Sequence, residues 1–397
     1  MVGVRAWLLS AVLVAAPAAA QHDHGGHDHG GHEHPGMSRD ALGASAAFDA
    51  KGVLWAVHTD GQHVVLTRSE DRGRKWGAPM NVNVAPEPVG ADGDARPKIA
   101  AGPGGELFVT WTTPLSKPYT GNVRFARSLD GGKTFSAPVT VQTDRREITH
   151  RFDALTVARD GRLFLAWIDK RDQEDLKPSG GEYRGAAVYF AVSDDRGASF
   201  RGDFKLADHS CECCRIALLP REDGSVLALW RHVFEPNIRD HALAAINADG
   251  SVGGFRRATF DDWRIDACPH HGPSLAADQS GRLHAVWFSQ SPKASGAFYG
   301  RLVAGGVEGL RRIGGDTAEH PDLAADGLRI AVAWKEFDGQ RSLLKAMLSE
   351  DAGEKWAERQ LASTAGASDQ PRVLAYGGHF YVFWNTRQEP LSVLAWP

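Results

Sequence analysis

The chain has 397 residues, of which 42% are hydrophobic and 24% charged, with 45 Lys and Arg against 49 Asp and Glu and a formal net charge of −4. Both signs are spread along the chain, which gives no footprint for nucleic acid or an anionic membrane surface. Four cysteines are too few, in so long a chain, for a small secreted disulfide scaffold, so their placement needs a local reason.

Residues 1–20, MVGVRAWLLSAVLVAAPAAA, read as a secretory signal: Arg5, an apolar run too short to span a bilayer, and Ala18-Ala19-Ala20 as a small-residue cleavage site. Cleavage is expected near Ala20, giving a periplasmic or secreted protein with no membrane span. Residues 21–36 follow as QHDHGGHDHGGHEHPG. His22, His24, His27, His29, His32 and His34 alternate there with Asp, Glu and Gly. With no apolar residue to bury, this arm is expected to be disordered. Imidazoles beside carboxylates suit Cu(II), Zn(II) or Ni(II); a solubilising or metal-buffering tail, separate from the folded domain, is the plainer reading.

Residues 37–397 carry a repeat. SEDRGRKW (69–76), SLDGGKTF (128–135), SDDRGASF (193–200) and SEDAGEKW (349–356) share Ser-x-Asp-x-Gly-x-x-aromatic. In such a turn Ser and Asp can bond the local backbone, Gly takes positive φ, and the aromatic is expected to plug the hairpin back into its sheet. A second recurrence is an apolar strand, a Gly/Asp turn, and a strand closing on Trp111, Trp167, Trp230, Trp287, Trp334 or Trp384, with His58 in the same place in a first unit. Seven units of about four short antiparallel strands predict an all-β fold, a single β-propeller of seven four-stranded blades, with six as the alternative. The Ser-x-Asp-x-Gly turn falls between third and fourth strands. Ring closure is expected to borrow a strand from the segment after the His-rich arm.

The turns and blade pattern resemble the sialidase superfamily of Asp-box, or BNR-repeat, propellers over residues 37–397. "CECC" (211–214), "IRD" (238–240) and "CPHHGP" (268–273) are similar to a subset of exported bacterial propellers commonly labelled exo-sialidase. Sialidases themselves are six-bladed, against seven units here.

Aligned on their tryptophans, the units place Cys211, Cys213 and Cys214 opposite Cys268, His270 and His271. The same place holds Asp94 and Arg96, His150 and Arg151, Glu319 and His320, and Asp369. It leads into the innermost strand of each blade, which in propellers rims the central channel. Thiolates with imidazoles favour copper(I) or zinc. Cys213 and Cys214, being adjacent, are expected to point apart, giving a first shell of Cys211, one of that pair, Cys268, and His270 or His271. A disulfide tying the 211–214 cluster to Cys268 stays open beside it, as does a redox pair. Further along, Arg239 and Asp240 suggest either a structural ion pair or an anion-binding arginine.

The resemblance implies, for a sialidase, three arginines clamping a carboxylate, a Tyr nucleophile activated by Glu, and an Asp acid. Arg96, Arg151 and Arg215 or Arg264 are the available rim arginines, and Glu182–Tyr183 is the nearest Tyr–Glu pair. The leading expectation is therefore an exported, monomeric binding propeller for a metal ion, most of all copper, with a small anionic ligand or a periplasmic protein as other partners. An exo-sialidase-type hydrolase and a disulfide-stapled binding propeller are the alternatives.

Overall fold

The computed structural model describes residues 42–91, 93–293 and 295–396. The expected signal peptide and His-rich arm lie outside these residues. The described chain is almost wholly antiparallel sheet. Blade 1 consists of Ser45–Phe48, Leu54–Asp60, His63–Ser69 and Met80–Asn81; blade 2 of Lys98–Ala101, Leu107–Pro114, Gly121–Ser128 and Val139–Thr140. Blade 3 consists of His150–Val157, Leu163–Asp169, Ala186–Ser193 and Arg201–Ser210; blade 4 of Ala217–Pro220, Val226–Arg231, His241–Ile246 and Val252–Arg257. Blade 5 consists of Ser274–Ala277, Leu283–Gln290, Ser295–Val303 and Gly306–Ile313; blade 6 of Glu319–Asp326, Arg329–Phe337, Ser342–Ser349 and Ala357–Thr364. Blade 7 has three strands, Arg372–Tyr376, His379–Trp384 and Ser392–Ala395. Among the described residues no helix is long and apolar enough to cross a membrane.

The first strand of every blade touches the first strands of both neighbours, in an unbroken circuit from blade 1 to blade 7 and back. The ring is thus a seven-bladed propeller. The expected borrowed closing strand is not present among the described residues. Blade 7 is instead sealed by the stretch before blade 1: Asn385 Nδ2 donates to the Leu42 carbonyl at 2.8 Å, and the Ala44 amide to Asp369 Oδ2 at 3.1 Å.

Alternating side chains of each sheet face the two adjacent blades, and the core divides accordingly into seven apolar clusters, one for each interface. The tryptophans at 111, 167, 230, 287 and 334 are among the largest fully buried side chains.

The four Ser-x-Asp-x-Gly turns sit between third and fourth strands and share one geometry. In the first, Ser69 Oγ donates to Asp71 Oδ1 at 2.8 Å and accepts from the Gly73 amide at 2.7 Å, while the Lys75 amide donates to Asp71 Oδ1 at 2.8 Å. The residue before the glycine is left-handed as well, at φ 64° for Arg72 and 56° for Arg196. The aromatic does not return to its own sheet as expected. Phe200 of blade 3 meets Phe125 of blade 2 edge-on at 4.9 Å, and Trp356 of blade 6 meets Tyr299 of blade 5 at 4.7 Å. The glycines abut the same neighbours, so these turns fasten each blade to the one before it.

Candidate metal centre

Residues 211–216 cross from the outer strand of blade 3 to the inner strand of blade 4. His209 turns the chain through a left-handed conformation (φ 61°), and the Cys211 amide is fixed on the Arg231 carbonyl at 2.9 Å. The short crossing folds Cys211, Cys213 and Cys214 inward together, each 3% exposed or less, against the Phe152, Ile216 and Trp230 core. Cys214 Sγ lies 3.6 Å and Cys213 Sγ 3.8 Å from Cys211 Sγ. The adjacent cysteines therefore converge rather than diverge. The bend at residues 212–213 breaks the alternation that an extended chain would impose, and Glu212, between the sulfurs, faces out to Lys170 at 2.6 Å.

Hydrogen bonds from the Cys213 and Cys214 thiols hold Cys211 well below the ordinary thiol range, against its burial, with Arg239 and Arg231 adding positive charge. Burial pushes Cys213 and Cys214 up, reinforced by the neighbouring Cys211 sulfur. The cluster thus favours ionisation at Cys211 over the other two sulfurs. Arg239 Nη1 is 3.6 Å from Cys211 Sγ. It does not pair with Asp240, whose partner is Arg257 (Nε to Oδ2, 3.0 Å). Consecutive residues of an extended stretch point opposite ways, which separates the two side chains. Cys268 is exposed and acts electrostatically on both Cys213 and Arg239, so a fourth sulfur borders the cluster.

The histidines fall elsewhere. His270 is exposed, with its ring 6.5 Å from that of Phe152. His271 stacks on Phe288 at 4.1 Å and on His320 at 4.3 Å. His150 is fully buried, its Nδ1 2.9 Å from Asp169 Oδ2, and that carboxylate also takes Trp167 Nε1 at 2.8 Å. His150 therefore braces blade 3.

The residues leading into the inner strands also tie distant blades together. Arg215 of blade 4 donates to the carbonyls of Pro273 (2.7 Å) and Pro321 (2.5 Å), and lies 3.8 Å from Asp94 of blade 2 and 3.7 Å from Asp322 of blade 6. Arg372 of blade 7 reaches Asp94 at 3.4 Å and Asp322 at 3.7 Å. Arg96 grips Asp369 with two bonds of 2.5 and 2.7 Å. Burial alone would raise the Asp94 carboxyl, but Arg215, Arg372 and Arg96 hold it well below its usual range. Burial pulls Arg215 down to about 10. Arg96 and Arg215, two of the arginines expected at the rim, are thus matched to carboxylates, and Arg151 lies over the Phe152 ring at 5.1 Å. Of this pattern, Asp94, Arg96 and Asp369 stand out in the alignment on tryptophan and Arg215 as a rim arginine, whereas Asp322 and Arg372 do not.

The Tyr–acid partner also differs from expectation. Tyr183 Oη donates to Asp208 Oδ1 at 2.7 Å rather than to Glu182, at the outer strand of blade 3 and away from the axis.

No family model matches this chain, and no curated protein matches its sequence. Solved structures do resemble it. The polysaccharide lyase Uly1 aligns with a TM-score of 0.54 at 10% identity, over 91% of this chain and 90% of that one. A PL25 ulvan lyase bound to -[GlcA(1-4)Rha3S]- aligns with a TM-score of 0.53 at 10% identity, over 88% and 90%. Trypanosoma rangeli sialidase aligns with a TM-score of 0.46 at 11% identity, over 89% of this chain and 53% of that one. The likeness to the two lyases is one of propeller fold.

Proposed function

We propose that this propeller is a soft-metal-binding protein, with copper(I) as the ion, held by Cys211, Cys213 and Cys214 and closed by Cys268. One observation carries the reading: three buried sulfurs within 4.8 Å of one another at a blade junction. Thiolate donors select Cu(I) over harder ions. Binding would release the protons of Cys213 and Cys214, making affinity rise with pH. The plain alternative for the same residues, a disulfide staple, accounts for two cysteines and leaves two. In this reading the His-rich arm of an exported protein captures Cu(II).

The test is a Cu(I) titration of the full-length protein under anaerobic conditions, followed by sulfur-to-copper charge-transfer absorption. The reading expects one equivalent per chain, lost in Cys211→Ser with the near-ultraviolet dichroism of the tryptophans unchanged. A wild-type protein with four titratable thiols and no charge-transfer band would overturn it.

A second reading, a glycan-acting propeller, is favoured by the shared fold with ulvan lyases. Its residues would be Tyr183, His209 and Arg184: the Tyr183 and His209 rings lie 4.7 Å apart, and Arg184 supplies a cation for a uronate. Burial lowers His209, leaving a neutral imidazole as base. This reading expects unsaturated uronate to form from ulvan, and a sialidase version expects turnover of an aryl sialoside. Inertness towards both would remove it.

A further inference from the structure

A second donor set lies where blades 5 and 6 begin. We infer that His271, Glu319 and His320 bind one divalent first-row cation of borderline softness, zinc(II) or copper(II), at a site separate from the sulfur cluster. A donor atom of each residue lies within 4.8 Å of those of the other two.

The geometry is built rather than incidental. His271 is held between the Phe288 and His320 rings, and its backbone carbonyl accepts from Arg231 Nη2 at 2.9 Å. Its Nδ1 is buried without a hydrogen-bond partner among the described residues. An orphaned buried nitrogen costs about 1–3 kcal/mol, a cost that a cation bound at that atom would offset. His320 is left-handed at φ 51°, a conformation costly for a side chain of this kind, and it carries the ring over His271. The two oxygens of Glu319 are divided. Oε1 faces Lys335 Nζ at 3.3 Å, and Oε2 faces His320 Nε2 at 3.7 Å. Lys335, 8% exposed at its side chain, acts as the outer partner that orients a ligating carboxylate. The Glu319 side chain is 38% exposed, which leaves a way in from solvent.

Two imidazoles and a carboxylate form a nitrogen and oxygen set. That chemistry suits zinc(II) or copper(II), whereas copper(I) prefers sulfur, and calcium and magnesium prefer oxygen alone. The site needs none of the cysteines, so it stands or falls apart from the copper(I) reading.

The experiment uses the full-length chain with His22, His24, His27, His29, His32 and His34 changed to alanine, so that the arm does not compete. Cobalt(II) is titrated as a coloured substitute for zinc. The expected result is one equivalent at this site, seen as visible ligand-field bands that carry no sulfur charge transfer of their own and are separate from any sulfur band of the cysteine cluster. His271→Ala with His320→Ala removes those bands and leaves any sulfur band intact; Cys211→Ser does the reverse. Glu319→Gln, a half-exposed change that leaves the packing alone, weakens cobalt binding by about tenfold or more. Unchanged binding in both Glu319→Gln and the double histidine variant overturns the inference. So does simultaneous loss of both band types in every variant, which would mean a single mixed site.

Discussion

Arg239 Nη1 lies 3.6 Å from Cys211 Sγ, so a cation of blade 4 faces the sulfur of the cluster whose ionisation is most favoured. Hydrogen bonds from the Cys213 and Cys214 thiols favour it first, and this guanidinium adds to them. Arg239→Gln should shift the alkylation profile of Cys211 to higher pH and slow its reaction at neutral pH by about tenfold. Mass-spectrometric mapping of iodoacetamide labelling against pH checks this; an unshifted profile would mean the thiols alone set the ionisation.

Asp261 offers a pH test of stability. Burial, with the Asp240 charge second, raises its carboxyl to about 6, although Trp287 Nε1 donates to it at 2.8 Å. The folded value exceeds the unfolded one, so folding favours the protonated acid. The benefit is complete below the unfolded value near 4 and is lost as pH rises towards 6. At pH 7 the buried carboxylate costs about 3 kcal/mol. Asp261→Asn should therefore gain stability over the wild type by about that amount between pH 4 and pH 7 in urea unfolding. A difference that stays flat with pH would refute the assignment.

Gly131 and Gly132 separate conformational cost from crowding. Both have positive φ, at 70° and 79°, but a Cβ on Gly131 meets nothing within 4 Å, whereas one on Gly132 lies 2.8 Å from the Trp55 ring. Gly131→Ala should cost about 1 kcal/mol and Gly132→Ala about 2–4 kcal/mol, read from denaturant midpoints. Equal losses would show that these glycines do not wedge the blades.

The Arg96–Asp369 pair predicts strong coupling. Arg96 is wholly buried, and its loss alone strands a carboxylate that is 4% exposed at its side chain. Arg96→Met should cost about 3–5 kcal/mol. Arg96→Met with Asp369→Leu should cost less than the sum of the two single changes. Additive losses in this cycle would argue against a direct pair.

The propeller was legible because its signals are local. Each Ser-x-Asp-x-Gly turn closes on its own backbone and marks four of the blades, while the six tryptophans, with His58 in the first unit, mark the same register of a second strand and so count all seven. The three-stranded blade 7 was less so, because Asn385 and Asp369 seal the ring through polar contacts to Leu42 and Ala44, which follow no repeat. The distance from Trp230 puts the cysteines just before the inner strand of blade 4, where they lie packed into the core between blades 3 and 4. The convergence of Cys213 with Cys214 depends on the bend that follows His209, and no pattern announces that. His271 and His320 were both marked, but their stacking joins two blades and is invisible to any reading that treats each unit alone. The same holds for Arg215, whose partners come from blades 2, 5 and 6.

Arg215 also has a bearing on how the ring would come apart. One guanidinium answers to three other blades, through Asp94, Pro273, Pro321 and Asp322, so a blade that loosened would tug on the rest. The disc should therefore give way as a whole rather than shed its blades one at a time.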